Sequence, residues 1–172
     1  MKRSISVILS FVLLFYLSGC DKQKNAELQV PINFYYCADP IIYDTEYGVI
    51  APELRDADGY TDDLMHLLEM YLKGPISDHL KSPFPHNVSI TQLTQNGDSF
   101  YVIFSEEFSE LSGLEQTLAR ACFAKTIIEY THVESIQFSY EGNVTGGRQT
   151  VTIKPDSFLF SSETIISTQM QE

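Results

Sequence analysis

The sequence predicts an α+β domain of two layers: a mostly antiparallel sheet with two helices on one face. Three observations carry that prediction. A leucine-striped helix stops abruptly at Lys73-Gly74-Pro75, because a glycine takes the left-handed cap and a proline cannot continue the turn. The run from Val88 to Phe104 then reads as two strands joined at Asn96-Gly97, a strong short hairpin signal. Finally, strand–strand–helix occurs twice and another strand follows. This gives the order β-β-α-β-β-α-β, with one more strand expected near the C-terminus, an arrangement that collects helices on one side of a sheet.

Val30 to Cys37 is predicted as the opening strand, with Ile32, Phe34 and Tyr36 on one face and Asn33, Tyr35 and Cys37 on the other. Tyr47 to Leu54 forms a second extended stretch, which Pro52 makes an edge or broken strand. In the first helix Leu64, Leu67, Leu68, Tyr71 and Leu72 share a buried face, and Asp62 and Asp63 fall in the first turn, at the positive end of the dipole. Asp56, Asp58, Asp62 and Asp63 do not make a calcium loop. With Gly59 at position six, Leu54 and Met65 occupy the first and twelfth positions.

A polar bridge with Pro83 and Pro85 leads to the hairpin. Its turn pairs Leu93 with Phe100, Thr91 with Val102 and Ile90 with Ile103. Phe100, Val102 and Phe104 then face one way and Tyr101 and Ile103 the other. An apolar second face needs a cover, either residues 151 to 160 or a partner. Glu106 and Glu107, leaving a strand side by side, are expected to be solvated rather than a catalytic pair. Ser112 and Glu115 fit a capping box opening the second helix, which runs to about Tyr130. Leu114, Leu118, Ala121, Cys122 and Ile128 form its apolar side, with Phe123 and Ile127 as a flank. Glu134 to Tyr140 alternates cleanly as a strand, and Val151 and Ile153 mark the extra one.

Three quoted runs carry a family resemblance: "LLEMYLKGP", "LKSPFPHNVSI" and "NGDSFYVIFSEEF". They resemble the GerMN domain of sporulation and spore-germination lipoproteins. The family's helix with a leucine shortly before Gly-Pro matches Leu72, Gly74 and Pro75. Its proline-to-valine step matches Pro85 and Val88, its glycine turn and apolar strand match Gly97 to Phe104, and its common arginine before the first helix matches Arg55. The resemblance covers about Val30 to Gly142. It implies an extracytoplasmic module that acts by association, with a fold similar to the ring-building modules of membrane-spanning assemblies. Some relatives carry two copies; one fits here.

The N-terminus is read separately. Lys2 and Arg3 precede an apolar run from Ile5 to Tyr16, too short to span a bilayer as a free helix. Leu17-Ser18-Gly19-Cys20 resembles the bacterial lipobox, which implies cleavage before Cys20 and a thioether-linked diacylglycerol on it, with palmitate-type acyl chains. The expected organisation is a signal peptide at 1–19, a lipidated cysteine and tether at 20–28, the domain at 29–142 and an extension at 143–172. The tether after Cys20 reaches about 15 Å, so the domain is expected to stay near the membrane. Loss of residues 1–19 takes the net charge from −12 to −14. Such a surface repels nucleic acid, so the partners expected are the membrane, through Cys20, and one or more envelope proteins.

No catalytic, cofactor or metal residues emerge. His66, His79, His86 and His132 lack metal-ligand spacing, and neither a nucleophile elbow nor a phosphate loop occurs. Cys37 and Cys122 are read as buried free thiols, with a disulfide left open. The function expected is a non-catalytic, lipid-anchored protein-interaction module on the extracytoplasmic face. The alternatives are a cell-wall hydrolase or its accessory factor, and a solute-binding lipoprotein, for which the chain is short.

Overall fold

The computed structural model describes residues 28–40, 48–142 and 150–157. The tether, the lipobox and the Phe158–Phe160 run lie outside the described residues. In chain order the elements are β1 (Pro31–Ala38), β2 (Ile50–Asp56), α1 (Leu64–Leu72), β3 (Leu80–Lys81), β4 (Ile90–Asn96) and β5 (Ser99–Phe104). A 3-10 turn (Glu106–Glu110), α2 (Gly113–Thr131), β6 (Ser135–Tyr140), β7 (Val151–Ile153) and a short 3-10 turn (Pro155–Ser157) complete them. The α+β class and the two helices are as predicted. The strands, however, divide between two sheets, ordered β2-β1-β3 and β4-β5-β6-β7. β3 is a two-residue strand inside the expected polar bridge. β5 and β6 pair in parallel because α2 provides the crossover between them, and the other pairs are antiparallel.

β2 is an edge strand, as Pro52 requires. Pro52 stands opposite Tyr35, and Tyr35 turns its own N–H and C=O away from β2. Its N–H donates to Thr126 Oγ1 of α2 at 3.0 Å, and its C=O accepts from Tyr71 Oη of α1 at 2.7 Å. A residue without an N–H fits this position at no hydrogen-bonding cost. The open edge of β1 is satisfied by one side chain from each helix.

α1 begins at Leu64, so Asp62 and Asp63 precede its first turn rather than lying in it as expected. Asp63 is its N-cap, accepting from the His66 N–H at 3.0 Å, and Asp62 lies in the preceding turn. The helix buries Leu67, Leu68 and Tyr71 and ends at Lys73, with Gly74 at φ +93°.

The hairpin register is corrected. Gly97 and Asp98 form the two-residue loop, and Asn96 pairs with Ser99, so Leu93 faces Val102 and Gln95 faces Phe100. Gly97 takes the first central position at φ +59°, where a tight hairpin turn needs a positive φ. Moving the turn by one residue shifts the pairing by two, which leaves the side chains of β5, and of β4 from Gln92 onward, on their expected faces. Nearer the strand start Thr91 is an extra, bulged residue, so Ile90 pairs with Phe104.

The core is aromatic and continuous across both sheets. Tyr71 packs on Phe34 and Tyr36, then meets Phe84 and Phe123; Phe123 continues to Phe104 and Phe138, and Phe104 stacks on Phe108. Phe123 is therefore the hub of α2 rather than its flank. Ala119, Cys122, Ala124, Thr126 and Ile127 are buried beside it, whereas Leu114 is 72 % exposed. The reason is that α2 meets two surfaces at once, the aromatic core on one side and β1 on the other, so the buried arc is wide and includes small residues. Leu114 sits in the first turn, away from both.

Candidate interaction surface

The segment that follows α1 is held by a polar clamp. Glu53 on β2 accepts the backbone N–H groups of Ile76 and Ser77 at 2.9 and 2.7 Å, and Nε of Arg55 at 2.6 Å. Arg55 in turn donates to the Gly74 carbonyl at 3.0 Å and lies over the Phe34 ring. The two residues stand on one face of β2, two apart in sequence, as strand alternation dictates. The position matched to the family arginine therefore secures the Gly-Pro stop of the helix. Glu53 was not singled out by the sequence reading. Its spacing from Arg55 was the available signal, but the distant backbone partners were not visible.

Beyond the clamp, Ser82 to Pro85 form a ridge between two grooves. One, of about 390 Å³, lies between the end of α1 and residues 85–90 and includes Glu69, Leu72, Lys73 and His86. The other, of about 370 Å³, lies between the ridge and the start of α2 and includes Cys37, Lys81, Leu111 and Leu118. Phe84, 8 % exposed, roots the ridge in the aromatic core.

The second face of the larger sheet is more polar than its two apolar residues imply. The strand pairing sets Gln92, Thr94, Asn96, Ser135, Gln137, Ser139 and Thr152 around Tyr101 and Ile103. Ile103 is buried and Tyr101 half-buried. Val151 to Ile153 do not lie over this face. They extend the sheet at its edge beside β6, so the expected cover by residues 151–160 is corrected for these three positions.

The residues with chemical potential do not gather. His66, His79, His86 and His132 are all exposed. His66 stacks on Tyr60, His79 neighbours Asp78, and His132 caps α2 in the left-handed conformation. Among the described residues no group of three or more histidine, cysteine or acidic side chains could hold a metal ion. Glu106 is exposed, but Glu107 is only partly exposed rather than solvated as expected, with its Oε2 buried. The Ser105 hydroxyl beside it holds the carboxyl below the usual range. Asp56 accepts the N–H groups of Gln29, Val30 and Asp58, so it ties the start of β1 to the turn after β2. Those bonds, led by the one from Val30, lower its pKa. Cys37 and Cys122 are free thiols, Cys122 buried and Cys37 only partly so. Among the described residues no helix is long and apolar enough to cross a membrane.

Comparison with known proteins agrees with this architecture. The chain is similar to the first GerMN domain of the sporulation protein GerM from Bacillus subtilis, with a TM-score of 0.55 and 14% identity over 74% of this chain and 98% of that one. It is also similar to the tandem GerMN domains of the same protein, with a TM-score of 0.51 and 19% identity over 71% of this chain. It spans only 44% of the tandem, which fits a single copy of the domain. No curated protein matches. The Germane family model, described as sporulation and spore germination, matches residues 34–145, well over half of the sequence. The chain belongs to the Germane family of sporulation and spore-germination domains.

Proposed function

We propose that this protein is a lipid-anchored lipoprotein of the extracytoplasmic face whose Germane domain works by binding other envelope proteins rather than by catalysis. One observation carries the reading: Leu17-Ser18-Gly19-Cys20, after a basic start and an apolar run, stands a few residues ahead of a Germane domain. Acylation of Cys20 would hold the domain within about 15 Å of the bilayer, the mean reach of so short a tether. Its partners would then be membrane-proximal proteins of a sporulation, germination or envelope assembly. Several side chains of the kinds catalysis uses serve the fold here. His132 caps α2, His66 packs on Tyr60, Glu53 and Asp56 bind backbone N–H groups, and Tyr35 and Tyr71 brace β1 against the helices.

Two measurements separate this reading from a cell-wall hydrolase. Purified protein incubated with isolated peptidoglycan is expected to release no muropeptides. Amine-reactive crosslinking in intact cells is expected to give a discrete higher-mass species that disappears in Cys20→Ser. Muropeptide release above a heat-inactivated control would favour the hydrolase. An unchanged crosslinking pattern in Cys20→Ser would remove the membrane-proximal partner.

A further inference from the structure

The face of β1 bearing Asn33, Tyr35 and Cys37 runs beside α2 in matched steps. Asn33 Nδ2 donates to Glu129 Oε1 at 2.6 Å, and the Tyr35 N–H donates to Thr126 Oγ1 at 3.0 Å. Thr126 Oγ1 itself donates to the Cys122 carbonyl, one turn back, at 3.0 Å. Two residues along a strand advance about 6.6 Å and four along a helix about 6 Å. One such step from the Tyr35–Thr126 contact brings Cys37 opposite Cys122. The two thiols stand close enough there for each to perturb the other, Cys37 downward and Cys122 upward. Cys122 is fully buried, whereas Cys37 opens on the groove it shares with Lys81, which stands directly across the β1–β3 pair from it.

We propose that Cys37 and Cys122 are an oxidisable dithiol that closes a disulfide between β1 and α2 within the folded chain, with Cys37 reacting first and Cys122 resolving. The oxidant is a low-molecular-weight disulfide. The Cys37 thiolate attacks one of its sulfurs, forms a mixed disulfide and releases one thiolate. Cys122 then gives its proton to water and attacks Cys37 Sγ, expelling the second thiolate. Two protein thiols are oxidised, and one disulfide is reduced to two thiols by the same two electrons. The order follows from access and from charge. The neighbouring Cys122 thiol holds Cys37 below the usual thiol range against the effect of its partial burial, and Lys81 adds to this. The same proximity, together with burial, pushes Cys122 up. The chemistry rests on this geometry and is independent of the acylation of Cys20. Its consequence is a covalent pin across the contact that now rests on Tyr35, Thr126 and Glu129.

The test is peptide mapping of the full-length protein, purified in detergent and treated with cystine in native, mildly alkaline buffer. Trypsin places Cys37 in fragment 25–55 and Cys122 in 121–125, both separate from Cys20, which lies ahead of the cut at Lys22. The expected result is a 25–55/121–125 linked pair about 2 Da below the sum of its thiol forms, reversed by dithiothreitol. Cys122→Ala is expected instead to leave a stable mixed disulfide of Cys37 with one cysteine. If the wild-type protein keeps both thiols open to alkylation, or holds the Cys37 adduct unresolved, the proposal is overturned. The same holds if the linked pair appears only in denaturant.

Discussion

Gly74 shows how one residue can end a helix and begin the structure after it. At φ +93° a side chain is strained, although a Cβ there would meet only Ser82 Cβ at an ordinary 3.6 Å. The penalty is therefore conformational rather than steric crowding, and Gly74→Val is expected to destabilise the domain by about 1–2 kcal/mol in urea unfolding. An unchanged midpoint would mean the backbone relaxes to negative φ. Asp56 acts at the same scale through charge. Its folded pKa is depressed by backbone N–H donors, so its contribution is present above the unfolded carboxylate pKa and is lost as pH falls through the folded value. Asp56→Asn is expected to flatten the loss of stability below about pH 4. An unchanged acid limb in the melting profile would contradict the assignment.

Among the elements, α2 is where sequence periodicity was least sufficient. Apolar spacing picked out a stripe of Leu114, Leu118, Ala121, Cys122 and Ile128; Cys122 is buried as that stripe requires, but Phe123, expected on the flank, enters the ring cluster and Thr126 meets β1. A helix that touches two surfaces buries more than one stripe, and single-stripe reasoning then selects a wrong centre. Phe123→Ala is expected to cost about 3–5 kcal/mol, and Leu114→Ala less than about 0.5 kcal/mol. Comparable losses for the two would restore the predicted stripe. The hairpin failed more gently. Gly97 was correctly placed in the turn, but which neighbour shared the loop depended on φ at the first central position. Because the slip was even, the faces of Phe100, Val102, Phe104, Tyr101 and Ile103 were legible although the partners were not. The α1 stop was fully legible, because Gly74 and Pro75 act locally.

For the whole molecule, the α+β class followed from element order, but the division into two sheets did not. It depends on β1 giving the backbone of Tyr35 to Thr126 and Tyr71, with only the two-residue β3 pairing beyond it at Cys37 and Ala38, contacts between residues far apart in sequence. The clamp of Glu53 and Arg55 on the segment after α1 was hidden for the same reason. Family membership was readable from short runs because those runs are the local stops and turns, namely Leu72, Gly74 and Pro75, Pro85 and Val88, and Gly97. Whether a lipid on Cys20 holds this Germane domain at the membrane is decided by intact mass measurement of the protein extracted from cell membranes. The predicted result is a polypeptide beginning at Cys20 with the added mass of a diacylglyceryl group, and none of this species in Cys20→Ser. A membrane-extracted chain that keeps residues 1–19, or that begins elsewhere without acyl mass, would contradict it.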